Sequence, residues 1–216
     1  MKKLESSLKN MVLVLVGVAV VTGALLALVN NVTTEPKAQK EQQTLQAGIK
    51  SVLGVSEVKI LATDTLQETF DKKDYTFIVY RAADQQGQEI GAAVKSTTLG
   101  FGGDLEVLVG FATDGKILGY TLLKHAETPG LGAKADQWFQ KGQKGSIIGR
   151  TPADGELHVS KDSKEGNAVD AITASTITSR AFLKAINQAY SVYTQKKVDA
   201  ATAATAVQPK GEEASL

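Results

Sequence analysis

From Met11 to Val29 the chain carries no charged residue, and no other feature restricts its fold so strongly. At about 1.5 Å of rise per residue, this apolar run approaches the roughly 30 Å hydrocarbon core of a bilayer. It reads as one transmembrane helix over residues 11–30. A cleaved signal peptide is the alternative, but its apolar region is only about 7 to 15 residues long, and no clear Ala-x-Ala site follows here. Lys2, Lys3 and Lys9 precede the run with only Glu5 opposing them, so the positive-inside tendency assigns residues 1–10 to the cytoplasm. Lys37 and Lys40 on the far side weaken that asymmetry. The rest of the chain is then extracytoplasmic.

The remaining length has room for one sizeable core. Lys and Arg total 24 against 23 Asp and Glu, and this balance offers no basic face for nucleic acid. Nucleic acid is therefore set aside as a partner. The chain has no cysteine, which excludes disulfides, Cys-ligated iron–sulfur clusters and cysteinyl cofactor links. If electrons move through it, another carrier moves them.

Residues 31–44 are polar and read as a stalk, either helical or a solvated linker. Leu45, Ile49, Val52 and Leu53 then repeat at helical spacing up to Gly54, a residue suited to a helix C-terminus, so the globular domain is expected over residues 45–194. Tyr75 to Arg81 is aromatic and β-branched, and Ile90 to Val94 resumes the apolar pattern after a polar turn, as in a hairpin. A second hairpin joins Leu105–Ala112 to Lys116–Leu123 through Asp114-Gly115, which tolerates the positive φ of a tight turn. Between the hairpins lies Leu99-Gly100-Phe101-Gly102-Gly103, where backbone can approach backbone or ligand without a Cβ in the way. After them comes His125-Ala126-Glu127-Thr128-Pro129-Gly130-Leu131-Gly132, a turn in which Glu127 has the option of holding His125. Ala133 to Gln140 reads as a short helix with Trp138 and Phe139 in the core. Leu157 to Ser160 reads as a further strand, and Lys161 to Asn167 as a charged loop.

Hydroxyl side chains then cluster in Asp170-Ala171-Ile172-Thr173-Ala174-Ser175-Thr176-Ile177-Thr178-Ser179-Arg180. Beyond them Phe182, Ile186, Ala189 and Tyr193 follow a 4-3-4 spacing, which lays one apolar stripe along a helix. The hydroxyls therefore stand at that helix's N-terminus, where unpaired backbone N–H groups and the helix dipole stabilise a phosphate. Arg180, in the first turn, is a candidate further donor to it. Thr176 or Thr178 acting only as an N-cap is the alternative on spacing alone. Residues 195–216 are Ala/Thr-rich without an apolar period and read as a disordered tail.

Taken in order, the membrane helix, Gly-Phe-Gly-Gly, His125-x-Glu127-Thr128-Pro129-Gly130-Leu131-Gly132 and Asp170-x-x-Thr173-x-x-Thr176-x-Thr178-Ser179-Arg180 resemble the G subunit of Rnf-type ion-translocating electron-transport complexes. The last segment resembles the flavinylation motif of the FMN-binding domain family, Asp-x-x-(Ser/Thr)-Gly-Ala-Thr-x-(Ser/Thr). The resemblance implies an α+β fold, in which the transmembrane helix precedes an FMN-binding domain with a largely antiparallel sheet and flanking helices. It also implies FMN joined through a phosphoester at Thr176, with Asp170, Thr173, Ser175, Thr178, Ser179, Gly102, Gly103, His125, Glu127, Thr128, Gly130, Leu131 and Gly132 around it. Ala174-Ser175 departs from the family's Gly-Ala, putting a Cβ where positive φ is easily adopted and making Ser175 a rival acceptor.

No base for activating Thr176 stands in the stretch, so attachment is expected from an external Mg-dependent flavin transferase that uses FAD. The expected role is electron relay among the other subunits of a membrane complex linking ferredoxin and NAD to cation movement, with no catalytic residue and no metal ligand of the chain's own. Alternatives are the C subunit of sodium-translocating NADH:quinone reductase, a free-standing FMN carrier, a histidyl flavin on His125 or His158, or a membrane-tethered sensor or scaffold without a redox role.

Overall fold

A computed structural model describes residues 8–206 of the protein. It divides into two compact units, residues 1–45 and 46–216. The first unit is built on helix α1, which spans Leu8–Leu53 and contains the uncharged run, with every large apolar side chain from Met11 to Val32 exposed. It is the one helix among the described residues long and apolar enough to cross a membrane. Lys2, Lys3 and Glu5 lie outside the described residues. The stalk is helical, with Pro36 inside α1. Good helix formers from Lys37 to Gln43 outweigh the one hydrogen bond that proline removes.

The last turns of α1 belong to the second unit. They close in a Schellman motif: Val55 N–H donates to the Lys50 carbonyl at 3.1 Å, Gly54 N–H donates to the Ser51 carbonyl at 3.2 Å, and Gly54 has φ +68°. Five antiparallel strands follow in sequence order: β1 (Lys59–Phe70), β2 (Lys73–Ala83), β3 (Glu89–Leu99), β4 (Asp104–Ala112) and β5 (Ile117–Lys124). Both expected hairpins are present, as β2–β3 and β4–β5. Strand β1 was not legible in the sequence, because its half-buried face includes Asp64 and Glu68 and so breaks the apolar alternation. Its turn to β2 is Asp71-Lys72, both at positive φ without a glycine.

The sheet is covered on both faces. Leu105, Val107, Val109 and Phe111 of β4 point into the main core, while Gly110 faces the end of α1, where an added Cβ would stand 2.3 Å from the Val52 carbonyl oxygen. The main core is closed by α3 (Thr176–Ala206). Phe182, Ile186, Ala189 and Tyr193 are all buried, as the 4-3-4 spacing requires. Phe182 stacks on Phe139 at 4.3 Å between ring centres, and Tyr193 stacks on Phe111 at 5.3 Å. Trp138 ends the short helix α2 (Ala135–Trp138) and packs beside Phe139.

The apolar spacing predicts a helix end near Tyr193 and a disordered tail over residues 195–216. The helix instead continues to Ala206. Alanine has the highest helix propensity, and the Ala-rich stretch extends the helix without an apolar stripe. Residues 207–216 lie outside the described residues.

Before α3 the chain makes a small parallel pair, β6 (His158–Val159) with β7 (Ala168–Val169). It delivers Asp170 to Ser175 to the helix start. Ala174, at the place where the resembled family has glycine, holds φ +61° and is exposed. A left-handed conformation costs an L-residue roughly 1–2 kcal/mol, partly offset by the lower unfolded-state entropy of alanine. Ala174→Gly should therefore stabilise the domain by about 0.5–1 kcal/mol, raising the melting temperature by about 1–4 °C, the reverse of the usual effect. A fall in thermal midpoint would contradict the strained backbone.

Candidate functional site

Glu127 leaves the end of β5 and turns inward, with 5% of its surface exposed. A carboxylate offers only acceptors, so burial requires donors to converge on it. One oxygen accepts Phe101 N–H at 2.8 Å and Gly102 N–H at 3.3 Å; the other accepts the Thr178 hydroxyl at 2.8 Å. One side chain thus joins the Gly-rich loop, the turn after β5 and the first turn of α3. The approach is too close for any Cβ. At Gly100 it would stand 2.1 Å from Glu127 Oε1, and at Gly132 it would stand 2.4 Å from Glu127 Oε2.

The rest of that turn supports this arrangement. Leu131 N–H donates to the Thr128 carbonyl at 3.1 Å around Pro129-Gly130, and Gly130 takes φ +77°, the pattern of a type II turn. His125 is exposed, and its Nδ1 accepts the backbone N–H of Glu127 at 3.3 Å. The sequence option that Glu127 holds His125 is thus replaced: the carboxylate is occupied by Phe101, Gly102 and Thr178, and the imidazole braces the Glu127 backbone. Gly103 closes its own loop by accepting Gly100 N–H at 2.8 Å.

At the helix start, Thr176 is the first residue of α3 and the Ser175 carbonyl accepts Ser179 N–H at 3.0 Å, which makes Ser175 the residue preceding the helix. The N-cap alternative for Thr176 and Thr178 therefore does not hold. The Ser179 hydroxyl donates to the Ser175 carbonyl at 2.9 Å and accepts Ile172 N–H at 3.0 Å, pinning the preceding loop to the helix. Asp170 Oδ1 accepts the Ser160 hydroxyl at 2.8 Å, and its carbonyl accepts the Trp138 indole N–H at 2.7 Å. Ser175 is 7% exposed, whereas Thr176 is half-buried and Thr173 exposed.

Arg180 is not directed at the helix N-terminus. Its guanidinium forms a two-pronged pair with Asp162, Nε donating at 2.9 Å, and holds the Asp162 carboxyl below its usual range. The cation that does reach the start of α3 is Lys161, whose Nζ donates to Thr176 Oγ1 at 3.1 Å. Nothing in the local pattern around Lys161 links it to Thr176, so sequence alone gives it no more than a place in a charged loop. Four large apolar side chains on the joined segments stand exposed: Leu99 at 66%, Phe101 at 68%, Leu131 at 42% and Ile177 at 54%. They give the loops around Glu127 an apolar outer surface.

Residues 100–191 match the FMN-binding domain family, a span that begins at the Gly-rich loop and runs through the helix start. The chain is 33% identical over 192 residues to the G subunit of the Na(+)-translocating ferredoxin:NAD(+) oxidoreductase complex of Acetobacterium woodii, covering 84% of this chain and 89% of that one. It is 32% identical over 169 residues to the G subunit of the proton-translocating ferredoxin:NAD(+) oxidoreductase complex of Clostridium ljungdahlii, covering 78% and 82%. Its fold resembles the crystal structure of Shewanella oneidensis NqrC, with a TM-score of 0.52 at 17% identity, over 74% of this chain and 99% of the other. A membrane-length helix, an FMN-binding domain and relatives matched over most of their length place the chain in the family of G subunits of ion-translocating oxidoreductase complexes.

Proposed function

We propose that the protein is a membrane-anchored flavoprotein subunit that carries FMN on Thr176 through a phosphoester bond and relays electrons within an Rnf-type ferredoxin:NAD oxidoreductase complex coupled to cation translocation. The observation that carries this reading is the half-buried Thr176 hydroxyl at the first position of α3, inside the stretch that matches the FMN-binding domain family. The single α1 span tethers the domain to the membrane, with the domain on the extracytoplasmic side. The other subunits of the complex are its working partners.

The residues present fit the group. A phosphate at Thr176 meets the N-terminal end of α3, where the helix dipole contributes about 0.3–1 kcal/mol. Leu99, Phe101, Leu131 and Ile177 supply apolar surface for a flat ring, on loops that Glu127 keeps in place. Thr128, Gly130 and Gly132 shape the turn beside them, and Gly102 and Gly103 shape the facing loop. When bound, FMN supplies one- and two-electron chemistry; the protein supplies position and surroundings. The chain's own residues hold the attachment point, limit water at the ring face and keep the loops from collapsing into the site.

Between the two hydroxyls, burial favours Thr176. Ser175 is 7% exposed, its carbonyl is engaged by Ser179, and its backbone N–H donates to the Ile172 carbonyl at 3.0 Å. A phosphate there would require the loop to open. A second reading, the C subunit of a sodium-translocating NADH:quinone reductase, draws on the fold likeness to NqrC, but the relatives matched in sequence favour the G subunit.

Maturation falls to a flavin transferase, since the side chain that meets the Thr176 hydroxyl is a lysine rather than a base. When the full chain is produced together with that transferase, Thr176→Ala should lose covalent flavin fluorescence on a denaturing gel, and Ser175→Ala should keep it. Fluorescence that persists in Thr176→Ala and disappears in Ser175→Ala would move the attachment to Ser175.

A further inference from the structure

Lys161 stands fifteen residues before Thr176 and belongs to no motif read from the sequence, yet its ammonium donates to Thr176 Oγ1 at 3.1 Å. The next residue, Asp162, grips Arg180 one turn into α3. Two successive residues of the β6–β7 connection thus fasten it to the start of the helix, one through a threonine hydroxyl and one through a guanidinium. We propose that Lys161 is a positioning residue for flavin attachment and, once FMN is in place, the counter-charge of the phosphodiester. This inference rests on the reading that Thr176 is the attachment residue.

The chemistry follows from what an ammonium lacks. It has three donors and no lone pair, so Thr176 Oγ1 must be the acceptor. One oxygen lone pair is then occupied, the other is free to attack, and the hydroxyl hydrogen is turned away from Lys161 to a position from which an external base removes it. Lys161 cannot be that base, which agrees with the need for a transferase. Its positive charge does favour the oxygen as the proton leaves, and it attracts the anionic pyrophosphate of the flavin donor.

In the transfer, Thr176 Oγ1 forms a bond to the flavin-bearing phosphorus of FAD. The anhydride bond from that phosphorus to AMP breaks, AMP leaves, and the hydroxyl proton passes to the transferase. No electron changes hands. The product phosphodiester carries one negative charge on oxygens two bonds beyond Oγ1, the atom to which Lys161 Nζ already donates. A charge-assisted bond there adds to the helix N-terminus, which by itself is a partial charge.

The test uses the purified full chain with FAD, Mg²⁺ and flavin transferase, and compares wild type with Lys161→Gln and Lys161→Arg. Lys161 is exposed, so all three should melt at the same temperature. Wild type should gain one FMN less one water on the peptide containing Thr176. The initial rate of transfer should fall at least about tenfold in Lys161→Gln, the size expected for losing a hydrogen bond to a charged group. Lys161→Arg should stay within about threefold of wild type, since it keeps charge and donors on a different geometry. In the modified proteins, the phosphorus NMR resonance should shift in Lys161→Gln and stay near wild type in Lys161→Arg. Normal modification of wild type at Thr176, with Lys161→Gln matching it in both rate and resonance, would overturn the role of Lys161 and leave the attachment standing. Wild type unmodified at Thr176 would overturn both.

Discussion

A carboxylate buried among backbone amides organises this domain at its working end. Glu127 sits at 5% exposure with three donors on its two oxygens, and those donors come from segments 26 and 51 residues away in sequence. A buried acceptor group left without donors costs more than most single contacts return, so the three segments are obliged to converge. The glycines at 100 and 132 follow from the same constraint, because each approaches a Glu127 oxygen where a Cβ would overlap it. The loop, the turn and the helix start are therefore one unit, and Thr176 takes its place from its neighbour Thr178.

The sheet and helices beneath provide a rigid base for that unit. The β4 strand presents Val107, Val109 and Phe111 to α3 on one face and Gly110 to the end of α1 on the other. Aromatic stacking of Phe139 on Phe182 locks α2 and the first turns of α3 together directly behind the hydroxyl cluster. The backbone in front of it carries strain, concentrated at Ala174. Strain of this kind persists where surrounding contacts over-determine a conformation. Here those contacts are the Ser179 hydroxyl bridging Ile172 and Ser175, and the Asp170 carbonyl held by Trp138.

What could be read from the sequence was what short-range physics controls. The uncharged run, the 4-3-4 stripe from Phe182, the Gly54 helix end and the Asp114-Gly115 hairpin each depend on one continuous stretch of chain, and each has its expected place. The positive φ at residue 174 is legible too, from the family's use of glycine there. Strand β1 is hidden by acidic residues on its inner face and by a turn built from Asp71-Lys72. The pairings that make the site are hidden for a different reason. Glu127 with Thr178, Lys161 with Thr176 and Asp162 with Arg180 are contacts across the fold, and local pattern does not encode them. Arg180 illustrates the limit: at the helix start it resembles a phosphate donor, and a carboxylate eighteen residues earlier already engages it.

Amide hydrogen exchange of Glu127→Ala against wild type tests most directly whether Glu127 holds the site together. Removing the carboxylate leaves Phe101 N–H and the Thr178 hydroxyl without their partner. Exchange should accelerate by at least about tenfold in peptides covering residues 100–103, 127–133 and 175–179, while strands β2 to β4 keep their wild-type protection. Wild-type protection at all three segments would contradict the claim that one buried carboxylate holds the loop, the turn and the helix start together.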